Sequence, residues 1–397
     1  MVAQPKSSQS TKTFSKPYWR YYYENLHLLH FTILLIFLGV LVFFAPRVHL
    51  SLNTALLASV LHVAGFLGIT AGYHRLWTHK SYEASFPLRV FLAIVSAAQL
   101  QWSIVEWVTH HRAHRWYTDT DKDPQDATRG FFFRYMGWLL AYNPQTWGSV
   151  DISGIMEDPV VRWQQKNYFV LFMLGGLGLP TLIAYFGWND WQGGLVYVLR
   201  VFFSLQVILF SGTLMHSDWA GEKIYSNKNS SVNIHLFSIL SILNNGEAHH
   251  NFHHTFPSDY RTGVQWYDID LSKWMILLWY QLGLAGNLVI VTEFEIERAN
   301  WRQERRNRHG EAVKYVDEDH EANTGRRLVC INGVIHDISD FMGEHPGGRD
   351  LLHQVLGNDG TAAFYYGSHD HSMHAKNVLA GMRIAVLEGP PPTKPRV

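Results

Sequence analysis

The sequence has almost no cysteine, no net charge and no apolar stretch at its start. Cys330 is the only cysteine among 397 residues, which excludes an internal disulfide framework and a thiolate metal cage. The 33 basic and 33 acidic residues balance, so nothing indicates a nucleic-acid partner. Residues 1–16 are polar and lack the apolar core of a cleavable signal peptide, so we expect any membrane insertion to use internal segments.

Apolar runs almost free of charge, in contrast, are long and occur in pairs. They cover residues 28–44, 50–69, 168–185 and 195–214. Each run has about the length needed to cross ~30 Å of hydrocarbon at ~1.5 Å per residue. Aromatic residues, 14% of the chain, suit membrane interfaces. We therefore predict four transmembrane helices in two hairpins; the alternative is a set of buried helices in a soluble protein.

The basic residues predict which ends of these spans face the cytosol. Before the first span lie Lys6, Lys12, Lys16 and Arg20, and between the hairpins lie Arg75, Lys80, Arg112, Lys122 and Arg134. Positive charge marks the cytosolic side, so we expect both termini and the central segment there. A further apolar run, residues 86–105, has histidine-rich flanks that must share one side, which predicts a surface or re-entrant helix.

The composition changes abruptly after the membrane part. Charged residues dominate from Glu293 to Gly325, which predicts a solvated helix followed by a polar connection. We predict a membrane domain over 1–298, a charged linker over 299–325, a small soluble domain over 326–390 and a tail over 391–397.

A cluster of histidines lies within residues 244–257. His249, His250, His253 and His254 fall within six positions. In a helix, the last three stand at i, i+3 and i+4 and therefore share one face. Three neutral imidazoles on one face form half a coordination shell for a borderline metal. The alternative is a polar run on a solvated face.

Further histidines lie near the expected cytosolic ends of the spans. With three from the cluster they make eight imidazoles at one depth, enough for two metal ions: His74, His79, His111, His114, His216, His250, His253 and His254. Calcium and magnesium prefer oxygen ligands, and structural zinc is usually closed at four ligands. Imidazole-rich pairs with open positions favour iron that reacts with dioxygen. Such chemistry suits an apolar substrate, because breaking an unactivated C–H bond exceeds side-chain acid–base catalysis.

Three motifs resemble the histidine boxes of the acyl-CoA delta-9 (stearoyl-CoA) desaturases. They are HRLWTH at 74–79, HRAH at 111–114 followed by YTDTDKDP, and HNFHHTFP at 250–257, within a similarity that runs from about Gly68 to Trp274. The resemblance implies an all-α integral membrane domain of four transmembrane helices with a cytosolic histidine-rich cap. It also implies a tunnel for a long-chain saturated acyl-CoA, and dioxygen-dependent insertion of a cis double bond, usually at carbon nine.

The resemblance assigns those eight histidines as ligands of two non-haem irons, but two positions depart from the family pattern. The family's second box reads H-x-x-H-H, and its fifth position here is Arg115, which stays protonated and cannot ligate. His110 or water is the expected replacement. Gly212 stands where the family has an asparagine that contacts metal through water. We expect two irons; a one-metal or impaired site is the alternative.

One lysine resembles a family position that contacts the CoA phosphates. Lys166 precedes the third apolar run, in the sequence QKNY. The alternative is an interfacial lysine whose stem lies in the apolar layer and whose charge reaches water.

A second resemblance, to cytochrome b5, covers about Arg326 to Leu387. It rests on HPGG at 345–348 and on His371-Ser372. It implies a small α+β domain in which His345 and His371 hold haem b; His369 and His374 are competing axial candidates. Two histidine ligands give a six-coordinate haem that transfers electrons and does not bind oxygen.

Together the two resemblances imply a fungal-type desaturase of the endoplasmic reticulum membrane with a fused cytochrome b5. NADH–cytochrome b5 reductase is the implied electron donor, and membrane lipid is the implied environment of the spans. Tethering raises the effective concentration of the haem domain to about millimolar. Two alternatives stay open: a hydroxylase or a desaturase of other regiochemistry, and a membrane haem electron carrier with an impaired metal site.

Overall fold

The computed structural model of the chain describes residues 22, 24–47, 50–234, 237–309, 315–316, 326–366 and 371–387. The chain divides into two compact units. The first unit comprises residues 1–223 and 227–290, and the second comprises residues 224–226 and 291–397.

The first unit is mostly helical. Its helices are α1 (Leu28–Phe43), α2 (Leu52–Leu67), α3 (Phe86–Ala97), α4 (Ile104–Tyr117), α5 (Trp138–Leu140), α6 (Ser153–Met156), α7 (Pro159–Leu171), α8 (Leu179–Trp188), α9 (Gly193–Leu214), α10 (Phe237–Leu243), α11 (His250–Thr255) and α12 (Leu271–Gln281). Wider π-helical turns extend α2 over Gly68–Thr78, precede α5 over Phe133–Gly137 and join α7 to α8 over Phe172–Gly178. Short antiparallel pairs join β1 (Glu83–Ala84) to β4 (Ala285–Gly286) and β2 (Gly221–Glu222) to β3 (Asn233–Ile234).

Three helical stretches are long and apolar enough to cross a membrane. They are Leu52–Thr78, Pro159–Trp188 and Gly193–Leu214, which contain most of three predicted spans. Helix α1 is equally apolar but has 16 residues, so it rises only ~24 Å, less than the ~30 Å of a bilayer core. The described residues therefore carry three candidate spans where the sequence predicts four. Helix α3, inside the run 86–105, is shorter still, with 12 residues.

The π-helical extension of α2 carries the first histidine motif. All 11 residues of Gly68–Thr78 are buried, and His79 follows directly. A Cβ atom on Gly68 would lie 2.6 Å from the backbone nitrogen of Ser96 on α3, so this close approach requires glycine. The widened turns, which occur frequently at functional sites, thus lie where α3 packs against the span.

One buried arginine connects three helical segments inside the first unit. Arg200, on α9, donates through Nη2 to the carbonyls of Ala98, at 3.2 Å, and Gly176, at 3.3 Å. Its Nη1 donates to the carbonyl of Leu61 at 3.4 Å. A cation in an apolar interior is stable only where protein groups replace water. For Arg200 these groups are three carbonyls, one on α2, one at the end of α3 and one in the π-helical joint between α7 and α8.

The second unit is α+β. Its four-stranded sheet has the order β5-β8-β7-β6, from β5 (Tyr315–Val316), β6 (Leu328–Ile331), β7 (Val334–Asp337) and β8 (Arg383–Leu387). Strand β5 is parallel to β8, and the other neighbours are antiparallel. The helices are α13 (Glu293–His309), α14 (Arg349–His353), α15 (Thr361–Tyr366) and α16 (Met373–Gly381). Residues Val329, Ile331, Ile338 and Met342 form a core against which α15 and α16 pack.

The structure differs from the predicted linker over 299–325. Trp301, on α13, is only 3% exposed and packs against Val334 and Val386 of the sheet. Strand β5 also lies before Arg326, where the soluble domain was expected to begin. Sequence composition does not reveal the packing of Trp301, because one tryptophan hardly changes the average composition of a highly charged helix. Residues 310–314 and 317–325 lie outside the described residues.

Replacing Arg200 tests its role as the connection between helical segments. Arg200→Met keeps a long side chain but removes the donors. We expect the free energy of unfolding to fall by about 1–3 kcal/mol, the cost of leaving buried polar groups unpaired. The measurement is the Tm of the detergent-solubilised protein.

Arg162→Met is the matched control for this experiment. Arg162 also donates to two carbonyls, those of Met156 and Glu157, but at the exposed surface. Its replacement should change Tm little, and equal shifts for the two variants would contradict the role of Arg200.

Candidate metal centre

The eight histidines singled out by the sequence lie in two groups of four. Group one is His74, His79, His111 and His253, and group two is His114, His216, His250 and His254. Within each group, one ligand nitrogen from every histidine lies within 4.8 Å of the others. Four nitrogens bound to one ion at ~2.1 Å lie within roughly 4.2 Å of one another, so each group has nearly the size of a single-ion site.

Helices α4 and α11 each contribute to both groups. On α11, His250 and His254 are four positions apart, share one face and join group two. His253 points ~100° away from His254 around the helix and joins group one. The expected shared face is therefore divided between the two groups.

The ligand nitrogens face inward. Nε2 of His74 lies 2.9 Å from Nε2 of His253, and the corresponding distance from His79 to His111 is 3.2 Å. In group two, Nε2 of His250 lies 3.1 Å from that of His216. Nε2 of His114 and of His254 is buried with no hydrogen-bond partner among the described residues. Buried polar atoms of this kind normally have a partner, so these two nitrogens fit a metal ion at group two. The clustered nitrogens of group one fit a second ion.

A buried carboxylate orients His74. Nδ1 of His74 lies 3.1 Å from Oε2 of Glu247, whose other oxygen accepts from Arg75 Nη2 at 2.8 Å. Burial alone would raise the pKa of the Glu247 carboxyl, but Arg75 and His74 outweigh burial and lower that pKa to about 2. Histidine ligands usually donate their second N–H to such a group, which fixes the ring and its tautomer.

Group two has its own orienting partners. His114 Nδ1 lies 2.9 Å from Oδ1 of Asp123. His216 Nδ1 donates to the Ser230 hydroxyl at 2.7 Å, and that hydroxyl donates to Asp119 at 2.6 Å. The sequence analysis did not identify Asp123 or Ser230. The acidic YTDTDKDP segment that contains Asp123 was the available signal.

Burial keeps the ligand set neutral. It lowers the pKa of seven of the imidazoles well below the ordinary value, with smaller contributions from neighbouring cations: His79, His111, His114, His216, His250, His253 and His254. A neutral imidazole has a free lone pair, so these side chains are ready to bind metal at neutral pH.

The two departures from the family pattern both lie beside group two. Arg115 Nη2 donates to the carbonyl of His254 at 3.0 Å, and burial lowers the pKa of Arg115 to about 9. The carbonyl of Gly212 accepts from Arg134 at 3.2 Å. Apart from Gly212, its chain neighbours and the adjacent backbone of α9, no atom of the described chain lies within 4 Å of the position that a Gly212 Cβ would take, so the space there is open.

The structure does not place His110 in either group. Its ring stacks on Trp138 with 4.6 Å between centroids. Within the described part of the chain, the buried Nε2 of His110 has no hydrogen-bond partner. His110 therefore lies outside both groups and lines the cavity beside them, and its role as a replacement ligand stays a prediction.

A cavity of about 200 Å³ opens beside both groups. Four of the eight grouped histidines line it, namely His74, His111, His114 and His250. Most of the remaining lining is apolar and includes side chains of α1, α2 and α9, but the charged Glu106, Arg134 and Glu247 also line it. On α9 the lining runs from Met215 to Phe202, whose ring stacks on Phe37 of α1 at 5.1 Å. Phe202 precedes Met215 by thirteen positions, so the stacked rings lie ~20 Å along the helix from Met215.

In the second unit, two histidines face each other. The ring centroids of His345 and His371 are 6.3 Å apart, which leaves room for one iron at metal–nitrogen distances of about 2 Å. Nδ1 of His345 lies 3.2 Å from the Gly348 carbonyl, and Nδ1 of His371 lies 2.8 Å from the Phe364 carbonyl. Both rings thus keep Nε2 for an axial bond. His374 is exposed on α16, and His369 lies outside the described residues.

Comparisons with known proteins identify both units. Residues 52–277 match the fatty acid desaturase family, and residues 314–388 match the cytochrome b5-like heme/steroid binding domain. The chain is 38% identical over 359 residues to acyl-CoA desaturase 1 of Saccharomyces cerevisiae, covering 86% of this chain and 69% of that protein. The chain belongs to the acyl-CoA desaturase family. The family and the C-terminal cytochrome b5 domain predicted from the sequence are confirmed.

Two further relatives extend the comparison. The probable acyl-CoA desaturase of Schizosaccharomyces pombe is 34% identical over 401 residues, covering 97% of this chain and 81% of that protein. The delta(9)-fatty-acid desaturase fat-7 of Caenorhabditis elegans is 41% identical over 220 residues, covering 54% of this chain and 64% of that protein. Desaturases are oxidoreductases, so the prediction of an enzyme is also confirmed.

The contact between Glu247 and His74 predicts a measurable effect on metal retention. Glu247→Gln keeps the shape of the side chain but removes the charge that holds the His74 N–H. We expect about 10- to 100-fold weaker metal retention, the usual cost of losing such a partner. Iron remaining per chain after titration with a chelator measures this effect.

Glu83→Gln serves as the control, because Glu83 on β1 is exposed. It should retain metal like the unaltered protein. Equal retention by Glu247→Gln, at unchanged Tm, would show that the carboxylate does not orient a ligand.

Proposed function

We propose that the protein is a di-iron, dioxygen-dependent acyl-CoA desaturase that places a cis double bond at carbon nine of long-chain saturated acyl-CoA. The observation that carries the proposal is the pair of four-histidine groups opening on an apolar cavity. An alkyl chain has no polar atom to satisfy, so apolar walls suit it and exclude water.

The eight grouped histidines would hold the irons, one ion in each group. When bound, iron supplies dioxygen reduction and the removal of hydrogen from unactivated carbon. The protein residues orient the ligands and the substrate. Glu247 and Asp123 hold the Nδ1 protons of His74 and His114, so the Nε2 lone pairs stay directed inward. The cavity walls orient the acyl chain beside both groups, which limits the carbons that can react.

Electrons would arrive through the second unit. His345 and His371 would hold haem b, and two histidine ligands favour electron transfer over oxygen binding. Desaturation consumes two electrons per double bond, and haem carries one at a time. A flavin reductase of the NADH–cytochrome b5 type is the proposed donor.

The proposed setting is the endoplasmic reticulum membrane, with both termini and the metal centre on the cytosolic side. The basic residues around the apolar helices support this orientation. Helix α1 is the proposed fourth span: it is 16 residues long, and flanking residues would extend its reach. Lys166 is exposed on α7 and remains the candidate contact for the CoA phosphates.

Arg115 favours one rival, a membrane haem protein whose metal site is impaired. A buried cation beside group two opposes the binding of a metal cation. The grouping of the histidines argues against this rival, since each group has four imidazoles without position 115.

Expression in yeast that lacks its own desaturase tests the proposal. We expect growth without added unsaturated fatty acids, cis-monounsaturated products with the bond at carbon nine, and two non-haem irons per purified chain. Hydroxylated products or another bond position would favour the other regiochemistry or reaction. No product and fewer than two irons, with a normal haem spectrum, would establish the haem carrier.

Arg115→His completes that experiment. If both groups are already whole, iron content and product should stay unchanged. A gain of iron and activity would instead show that position 115 lacks a required ligand.

The stacked rings of Phe37 and Phe202 predict a control of chain length. Phe202→Ala lengthens the cavity at its far end. We expect the preference for the longer acyl chain to rise by about tenfold, the low end of what a methylene group contributes in an apolar pocket. The ratio of longer to shorter products from a substrate mixture measures it.

Phe203→Ala is the matched control, since Phe203 neighbours Phe202 on α9 but is 50% exposed and does not line the cavity. An unchanged ratio for Phe202→Ala, at normal total desaturation, would contradict the chain-length role.

A further inference from the structure

Helix α13 lies before the residues that match the cytochrome b5 family, which begin at 314. Its composition is that of a solvated helix, yet it is packed against the haem unit. Trp301 is 3% exposed and Gln303 is 2% exposed. Trp301 contacts Val334 of β7 and Val386 of β8. A flexible connection would not bury its tryptophan, so α13 is part of the fold of the second unit.

The same face of α13 carries a polar contact. Glu297 precedes Trp301 by four residues and therefore lies on the same side of the helix. Its Oε1 accepts a hydrogen bond from the Tyr365 hydroxyl at 3.1 Å. Its Oε2 lies 3.5 Å from Nδ2 of Asn332, at the long end of hydrogen-bond distances. Glu297 thus ties α13 to α15 through Tyr365.

Helix α15 in turn holds the candidate axial ligand. The carbonyl of Phe364, the residue before Tyr365, lies 2.8 Å from Nδ1 of His371. The ring of Phe364 stacks on the His371 ring, with 4.2 Å between centroids and 18° between planes. Phe364 therefore sets both the tautomer and the tilt of the imidazole. Any shift of α15 moves the ligand.

We propose that Glu297 is a positioning residue for the haem: through Tyr365 and α15 it fixes the His371 ring, and so sets haem retention and reduction potential. Ligand orientation and hydrogen bonding are among the means by which a protein tunes a haem. The proposal depends on the assignment of haem to the second unit, and it is independent of the chemistry proposed for the first.

The test uses the full-length protein with haem bound. Glu297→Ala and Tyr365→Phe each remove the hydrogen bond, and each should speed haem loss by about two- to tenfold, the range that one hydrogen bond spans. Transfer of haem to an excess of apomyoglobin measures the rate. Both variants should also shift the midpoint potential in a redox titration and the low-spin signals in electron paramagnetic resonance.

Three further variants isolate the cause. Glu297→Gln keeps an acceptor oxygen and should recover most of the unaltered behaviour. Glu295→Gln removes a charge from the exposed first turn of the same helix, keeps an acceptor for the Thr292 hydroxyl, and should change nothing. The double variant Glu297→Ala with Tyr365→Phe should equal either single variant, because the two side chains share one contact.

Two results would overturn the proposal. Unchanged haem loss, potential and resonance signals, with only a lower Tm, would show that α13 merely stabilises the domain. Purified protein without haem would remove the assignment on which the proposal depends. Desaturase activity is not needed for either reading, so failure here is distinct from failure of the proposed function.

Discussion

The metal centre depends on a buried ion-pair network around Arg75. This guanidinium, 1% exposed, pairs with Glu247 at 2.8 Å and with Asp270 at 2.9 Å. It also donates to the carbonyl of Tyr260 at 2.7 Å. Arg75 follows ligand His74 directly, so the network joins the first histidine motif to the segments around the third. Losing one partner of a buried pair costs about 3–5 kcal/mol, because the other charge stays buried alone.

Burial explains why eight imidazoles crowd together without unfolding the protein. Eight charged rings would repel one another, but burial and neighbouring cations keep most of them neutral. Each neutral ring then needs a partner for its N–H, and Glu247, Asp123 and Ser230 provide three of them. The Nε2 atoms of these three histidines thus keep a free lone pair for metal, and their Nδ1 atoms are held by hydrogen bonds to the protein.

The sequence predicts the ligands well but not their grouping. Motif spacing identifies His74 and His253, which are 179 positions apart, yet only the fold shows that their Nε2 atoms meet. Length alone misleads for α1, whose apolar run includes a turn and leaves 16 helical residues. The stacking of His110 on Trp138, which motif spacing does not reveal, places its ring beside the two groups and in neither of them. The burial of Trp301 was equally hidden, because one packed residue hardly alters the composition of a charged helix.

Both departures from the family pattern lie beside group two, and the geometry of this group still suits catalysis. A catalytic metal site keeps a position open, whereas a structural one is closed by protein ligands. Arg115 adds no ligand, and Gly212 adds no side chain and leaves open space. Gly212 lines the same cavity as His114 and His250. The open side of group two therefore faces the volume in which an acyl chain would lie.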